Sequence, residues 1–442
     1  MRRAHAHSGQ SAGCDFVSPG HGELERCSCR GSHYKVAVDD FHGTIGFERF
    51  AGAVNARLVG NMSECQRRGG VKRAPLARVM QRYQFKVSHA PILPRRRHGQ
   101  ADINTPWRAT SFAAMTVLVT GGAGYIGSHT VRALRAAGRQ VVVLDSLELG
   151  HAAAVIDAPI VVGKITDSVL IAKIVAEYGV TACIHFAAYK SSAESMTEPE
   201  KYFRNNTAGS FELIDALRVN GVNQFVFSST AATYGTPDMV PVSESNPTGP
   251  ESPYGLSKLM VEQILGWFSQ SHNFRSVSLR YFNAAGAAMD GEIGEDWTVT
   301  LNLVPVVMKS MLERRPPLEV FGTDYPTPDG TAIRDYIHVD DLAEAHVKAL
   351  EYLEANGETT VINLGTGTGS SVQEVIDMAE KVSGVRVPRS YSPRRAGDPV
   401  SVYADNTKAR QVLGWHPQFG LEEIMESAWR WHSQHLDGFA DA

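Results

Sequence analysis

From Met115 onward, apolar residues fall into short runs separated by polar and glycine-rich turns, and two kinds of spacing alternate. Val117-Leu118-Val119, Val141-Val142-Val143-Leu144, Val155–Val162, Ala182–Ala188, Gln224–Phe227 and Ser276–Asn283 read as strands, several of them apolar on consecutive positions as in a sheet covered on both faces. Between them lie helical patterns. One opens near Ile126 and closes at Gly138, one spans Ser168–Tyr178, one lies around Asn206–Asn220, and one begins at Ser252. Strands alternating with helices predict an α/β fold with a Rossmann-like, doubly wound parallel sheet. Functional residues then gather at the carboxyl ends of the strands. Those ends carry Asp145, the Phe186–Lys190 segment, Thr230 and Tyr281-Phe282-Asn283. Beyond Asn283 proline and glycine become frequent and elements shorten, although Val361–Gly365 resembles one more strand. This predicts a first domain over 115–285, with 335–370 returning to it, and a smaller C-terminal α/β lobe over 286–442 that closes over the cleft.

The net charge of −4 over 442 residues hides an asymmetry. Residues 1–114 carry 18 Lys and Arg against 8 Asp and Glu, and the rest of the chain carries 25 against 39. The first segment also holds Cys14, Cys27, Cys29 and Cys65, whose spacing matches no zinc site, so no metal is assigned. It lacks the apolar core of a secretory signal and shows no clear periodicity. It reads as a disordered basic extension, or as sequence translated ahead of a start at Met115. Arg95-Arg96-Arg97 reads as a solvated charge run, and no nucleic-acid partner is assigned. No apolar run is long enough to span a membrane. Cys183, inside an apparent strand, reads as a buried free thiol. One such cysteine outside the extension suits a reducing, cytoplasmic compartment.

The first strand runs straight into Thr120-Gly121-Gly122-Ala123-Gly124-Tyr125-Ile126-Gly127. Gly121 permits a tight turn, Gly124 lets backbone approach a pyrophosphate, and Gly127 allows close packing of the helix on the sheet. The helix then points free N–H groups and the positive end of its dipole at the phosphates. Asp145 follows Gly121 by 24 residues, where a carboxylate accepts hydrogen bonds from the ribose hydroxyls of NAD and repels the additional phosphate of NADP. The predicted cofactor is NAD.

The helix after the fifth strand begins Ser252-Pro253-Tyr254-Gly255-Leu256-Ser257-Lys258. Tyr254 and Lys258 are four apart and share a face. Leu256, Leu259, Met260, Ile264, Trp267 and Phe268 are taken as the buried stripe of this helix. A phenol titrates near about 10 and is a poor base at neutral pH. An ammonium beside it, and the positive charge of an oxidised nicotinamide, favour the phenolate. The preceding strand ends in Ser228-Ser229-Thr230, whose hydroxyl can hold a substrate oxygen. Together these predict carbonyl–alcohol chemistry with a nicotinamide cofactor.

The Gly-rich turn, Ile184-His185-Phe186-Ala187-Ala188, Ser252–Met260, Leu279-Arg280-Tyr281-Phe282-Asn283, Phe321–Thr327 and Asp329–Val339 occur in that order, and together they resemble the extended short-chain dehydrogenase/reductase family. Within it the resemblance is to enzymes that invert C4 of a UDP-hexose, and it covers Met115 to nearly the end. It implies interconversion of UDP-glucose and UDP-galactose through a 4-keto sugar, with NAD retained. Tyr254 would exchange the proton of the 4-hydroxyl, Lys258 would tune Tyr254 and hold the nicotinamide ribose, and Thr230 would hold the 4-oxygen. The resemblance also implies that Gly121, Gly124, Tyr125, Ile126, Gly127, Asp145, Ile165, Phe186, Ala187, Ala188, Lys190, Asn206, Tyr254, Lys258 and Phe282 contact NAD. Thr230, Asn283, Asn302, Leu303, Arg334, Arg395, Asp398 and Val402 would contact the UDP-sugar; the surface alternative pairs Arg334 with Asp335 or Asp340, and Arg395 with Asp398. A homodimer through the helices near Asn206–Asn220 and Tyr254–Phe268 is implied too.

Two positions depart from the family pattern. Lys164 stands where an aspartate accepts a hydrogen bond from the adenine amino group, and an ammonium has no acceptor. Val402 is intermediate in size where the side chain beside the sugar 2-substituent is bulky or small, leaving N-acetylated sugars open. Dehydratases of the family place an Asp-Glu pair after the active-site threonine, and Ala231-Ala232 stands here instead. A non-catalytic NAD-binding sensor would not need Thr230, Tyr254 and Lys258 together.

Overall fold

The consecutive apolar residues of the strands are explained by a sheet covered on both sides. A computed structural model describes residues 28–29, 32–33, 115–296, 302–395 and 397–439. The chain forms two units, Met1–Gln100 and Ala101–Ala442. In the first, the described residues form a two-residue antiparallel pair, Ser28–Cys29 with Ser32–His33. The sequence-based reading of residues 1–114 as a disordered extension otherwise lies outside the described residues.

In the second unit, β1 (Thr116–Thr120), β2 (Gln140–Asp145), β3 (Ile160–Val162), β4 (Val180–His185), β5 (Gln224–Ser228), β6 (Arg275–Tyr281) and, later in the chain, Thr360–Leu364 build a seven-stranded sheet. Every pair in it is parallel. The order is β3-β2-β1-β4-β5-β6, with Thr360–Leu364 beyond β6, so the strand order reverses between β1 and β4. That switch point is where a ligand crevice opens. Val117, Val119, Val141, Val143 and Ile184 point to one face, Leu118, Val142, Leu144 and Cys183 to the other, and all are buried. The Cys183 thiol is free, and burial pushes its pKa up.

Helix α1 (Tyr125–Ala136) covers the first face through Val131 and Leu134. Helices α2 (Ser168–Tyr178), α3 (Ser210–Val219) and α4 (Pro253–His272) cover the second through Ile171, Ile174, Leu213, Leu217, Val261 and Leu265. Several elements differ from the sequence-based reading. The third strand shrinks to Ile160–Val162 because Asp157, at φ +55°, bends the chain ahead of Pro159. The helix placed at Asn206–Asn220 begins as a π-helical turn, Phe203–Gly209, before α3. The sixth strand leaves the sheet after Tyr281, and β7 (Asn283–Ala285) pairs with Tyr336–His338 instead.

A third core lies beyond β7. It gathers Val307, Met308 and Met311 of α5 (Leu303–Met311) with Val320 of β8 (Leu318–Phe321), Ile376 of Val372–Ser383 and Met425 of Leu421–Gln434. A small sheet sits here too, with β9 (Ile333–Arg334) between Ser370–Ser371 and Ser401–Val402.

Candidate active site

The turn after β1 is shaped by glycine. Gly121 has φ +72°, and a Cβ there would lie 2.5 Å from the Ala187 backbone nitrogen. A Cβ on Gly127 would lie 2.1 Å from the Gly121 carbonyl oxygen, so this glycine fits α1 against the turn itself rather than against the sheet. Gly124 caps α1 with no side-chain hydrogen bond, and no acidic residue stands in the first turn of the helix, so its positive end can take an anionic ligand. Asp145 accepts from Ala123 N and Leu147 N, one bond of 2.9 Å on each oxygen, and each oxygen keeps a further lone pair. Phe186 and Ala187 lie opposite the turn, where both backbone nitrogens donate to the Thr120 carbonyl. This cradle fits a dinucleotide. Ile165 is buried in the second core, and Lys164 beside it is exposed.

Other predicted cofactor contacts are held by protein partners. Tyr125 donates from its hydroxyl to the Gly286 carbonyl at 2.7 Å, and Lys190 pairs with Glu295 at 3.1 Å. The Asn206 amide clasps both backbone groups of Tyr189, donating at 2.9 Å and accepting at 3.0 Å, and so fixes the segment after Ala188.

The catalytic candidates converge at the end of β5. Ser252 caps α4 by accepting from Gly255 N, and Pro253 occupies the first helical position, which places Tyr254 in the first turn. A Cβ on Gly255 would lie 2.6 Å from the Ala232 carbonyl, so only glycine lets the helix approach the turn after Thr230 this closely. Thr230 caps that turn through Ala232 N at 3.1 Å, and its side chain is near enough to Tyr254 to influence the phenol. Burial holds the Tyr254 phenol above its ordinary pKa, and the Thr230 bond pulls it back down.

Lys258 is buried, and its ammonium donates to the Ser228 carbonyl at 2.8 Å above the Phe227 ring. The cation therefore stands on the same helix face as the phenol but is anchored to β5 rather than bonded to the Tyr254 oxygen. Burial lowers its pKa to about 7, with the Glu262 carboxylate opposing the shift. The Tyr281 hydroxyl meets Ser228 Oγ at 2.6 Å and lies close enough to Tyr254 for mutual repulsion of their charged forms. Phe282 follows it, partly buried.

The predicted stripe on α4 is corrected. Leu256, Met260 and Trp267 are exposed and Leu259, Ile264 and Phe268 only partly buried, whereas Lys258, Val261, Glu262 and Leu265 face inward. The apolar positions were assigned to the core on hydrophobicity alone, but the face carrying Tyr254 and Lys258 is the one turned to the sheet.

The substrate candidates lie on the small sheet and its surroundings. Arg334 and Val402 are register partners on adjacent strands. The Arg334 guanidinium bonds Asp398 and the Ile333 carbonyl. Its pairing with Asp335 or Asp340 is thereby excluded: Asp335 points inward, accepting from Thr366 N, Thr366 Oγ1 and Ala404 N. Arg395 stacks on Phe321 at 3.8 Å instead of pairing with Asp398. Asn283 donates from its backbone and side chain to the Asp335 carbonyl, Asn302 caps α5, and Leu303 opens it. Ser228, Ser229, Glu262, Arg280 and the Tyr281 hydroxyl went unrecognised as part of the site. Glu262 lies four residues beyond Lys258 on the face of Tyr254, a spacing that was open to the same reasoning.

A Gly-rich βαβ unit, with a Tyr-x-x-x-Lys helix beside a threonine at the preceding strand end, defines a nucleotide-dependent oxidoreductase-type site. The family model for the NAD dependent epimerase/dehydratase family matches residues 117–365, and the chain belongs to that family. Relatives narrow the class. The chain is 46% identical over 329 residues to the UDP-glucose 4-epimerase of Lacticaseibacillus casei, covering 74% of this chain and 99% of that one. It is 47% identical over 331 residues to the UDP-glucose 4-epimerase of Streptococcus mutans. Among solved structures, the Stenotrophomonas maltophila UDP-glucose-4-epimerase with bound NAD and formylated UDP-arabinopyranose aligns with a TM-score of 0.71 at 41% identity, covering 73% of this chain and 99% of that one.

Proposed function

We propose that this enzyme interconverts UDP-glucose and UDP-galactose, with Tyr254, Thr230 and Lys258 as its catalytic residues. The observation that carries the reading is the convergence of Thr230, Tyr254 in the first turn of α4 and the buried Lys258 at the end of β5. Bound NAD supplies a hydride acceptor and donor for sugar C4, so the reaction has no net redox change. Gly121, Gly124 and the amino end of α1 hold the pyrophosphate, Asp145 the ribose, and Phe186–Ala188 line the opposite wall.

Thr230 holds the 4-oxygen of the sugar. Tyr254 removes the 4-hydroxyl proton, and the Lys258 charge lowers the cost of the phenolate. The 4-keto sugar turns its other face toward the cofactor, and Tyr254 returns the proton to the oxygen. Arg334 and Arg395, with Asn283, Asn302 and Leu303, hold the UDP part, whose diphosphate suits the guanidinium fork. In this structure Asp398 already engages Arg334, so the diphosphate shares or displaces that carboxylate. Val402, beside Arg334, limits room at the sugar 2-substituent.

The enzyme works as a homodimer in the cytoplasm. Phe211 of α3 with Leu256, Met260 and Trp267 of α4 form an exposed apolar face of the kind a partner covers. No described helix is long and apolar enough to cross a membrane. Incubating purified protein with UDP-galactose and no added reductant tests the activity. UDP-glucose is the expected product, and its absence from NAD-loaded protein overturns the reading. UDP-N-acetylgalactosamine in parallel reads the limit set by Val402.

A further inference from the structure

We infer that Glu262 and Arg280 are positioning residues that fix Thr230 relative to Tyr254 and Lys258. The inference rests on the catalytic roles proposed above. Glu262 stands on α4 one turn beyond Lys258 and two beyond Tyr254, with its side chain 5% exposed. Its carboxylate accepts from Arg280 Nε at 2.9 Å and from a terminal Arg280 nitrogen, and it also accepts from the Ser229 hydroxyl. Ser229 directly precedes Thr230. Its backbone nitrogen donates to the Leu279 carbonyl at 2.9 Å, one step beyond the β5–β6 ladder.

Arg280 directly precedes Tyr281, whose hydroxyl meets Ser228. The Arg280 guanidinium lies 4.7 Å over the Tyr234 ring, and the Tyr234 hydroxyl donates to Asn363 on the edge strand at 2.8 Å. One buried carboxylate thus joins the catalytic helix, the segment that ends in Thr230, and the strand that supplies Tyr281. A buried ion pair is a weak source of stability, since well-packed apolar residues of like volume often do as well. What it supplies is fixed geometry, because each of its directional bonds must be met at once. Misplacing a reacting group by about 1 Å costs on the order of 100-fold in rate.

The test compares Ser229→Ala, the double variant Glu262→Met with Arg280→Leu, and Tyr254→Phe, all as NAD-loaded full chains. Each is measured for thermal unfolding and for kcat and KM with UDP-galactose. The double variant is expected to keep its unfolding temperature and its KM within about 2-fold while kcat falls roughly 10- to 100-fold. Ser229→Ala, which removes only one hydroxyl, is expected to lower kcat by about 3- to 10-fold at unchanged KM. If the double variant does not fold, the Ser229→Ala result decides. Wild-type kcat in Ser229→Ala, or in a folded double variant, overturns the inference. Wild-type kcat in Tyr254→Phe instead overturns the catalytic reading beneath it.

Discussion

Along α4, the first two turns put Tyr254, Lys258 and, beyond them, Glu262 toward the sheet beside the apolar Val261 and Leu265, whereas the positions turned outward include Leu256, Met260 and Trp267. An ordinary surface helix keeps charged residues off its inner face and large apolar ones off its outer face. Desolvating a charge costs several kcal/mol, so Lys258 and Glu262 are inside only because the Ser228 carbonyl, Arg280 and Ser229 meet them. On the other face Trp267 is 67% exposed, which forgoes roughly 1.5–3 kcal/mol of burial. The comparison teaches that polar residues turn inward on this helix where the sheet supplies their partners, and that the apolar residues left outside are the ones the proposed dimer would cover.

The strongest way to break the comparison is on the inner face. Tyr254→Phe should lower turnover by at least about 100-fold while NAD stays bound, as steady-state kinetics on cofactor-loaded protein would show. Arg334→Ala, away from α4, should raise KM for the UDP-sugar by about 10-fold and alter kcat little, because it removes binding common to ground and transition states. On the outer face, Met260→Asp with Trp267→Asp should halve the mass measured by light scattering, from twice 48.1 kDa to the single chain, with activity per chain within a few-fold of wild type. A mass that stays put would strip the outer face of its assembly role.

Acid sensitivity sharpens the same contrast by the smallest step. Burial lowers His129, His338 and His346 to about 4, and His185 and His432 to about 3. Unfolded histidine titrates near about 6.5, so between these values the unfolded chain binds more protons, and stability falls as pH drops through that window. Asp341, raised to about 6 by burial, and Asp335 and Asp340, which burial also raises, act in the opposite direction but are outnumbered by the five histidines. Denaturant midpoints measured from neutral pH to mildly acidic pH should therefore decline.

Much of this was legible in sequence. The run from Val117 through the Gly-rich turn to Asp145 carries its own periodicity and its own glycines, so strand, turn, helix and strand could be read locally. Tyr254 and Lys258 share a helix face by spacing alone. What could not be read depends on which strands become neighbours. Arg280 meets Glu262 only because β6 lies beside β5 beneath α4, and Arg334 meets Asp398 at a sequence separation of 64. The inward face of α4 was misjudged for the same reason, since hydrophobicity cannot say which side of a helix meets a sheet that already supplies polar partners. The strand Asn283–Ala285 leaves the main sheet for Tyr336–His338, a pairing without a local signal.

The central claim is that the half-buried phenol of Tyr254, steadied by Thr230 and Lys258, moves the proton at sugar C4. Its most direct test is the rate at which NAD-loaded Tyr254→Phe converts UDP-galactose to UDP-glucose, measured beside the unaltered protein under one set of conditions. A rate reduced by about 100-fold or more with NAD retained is the predicted result. A rate within a few-fold of the unaltered protein would contradict it.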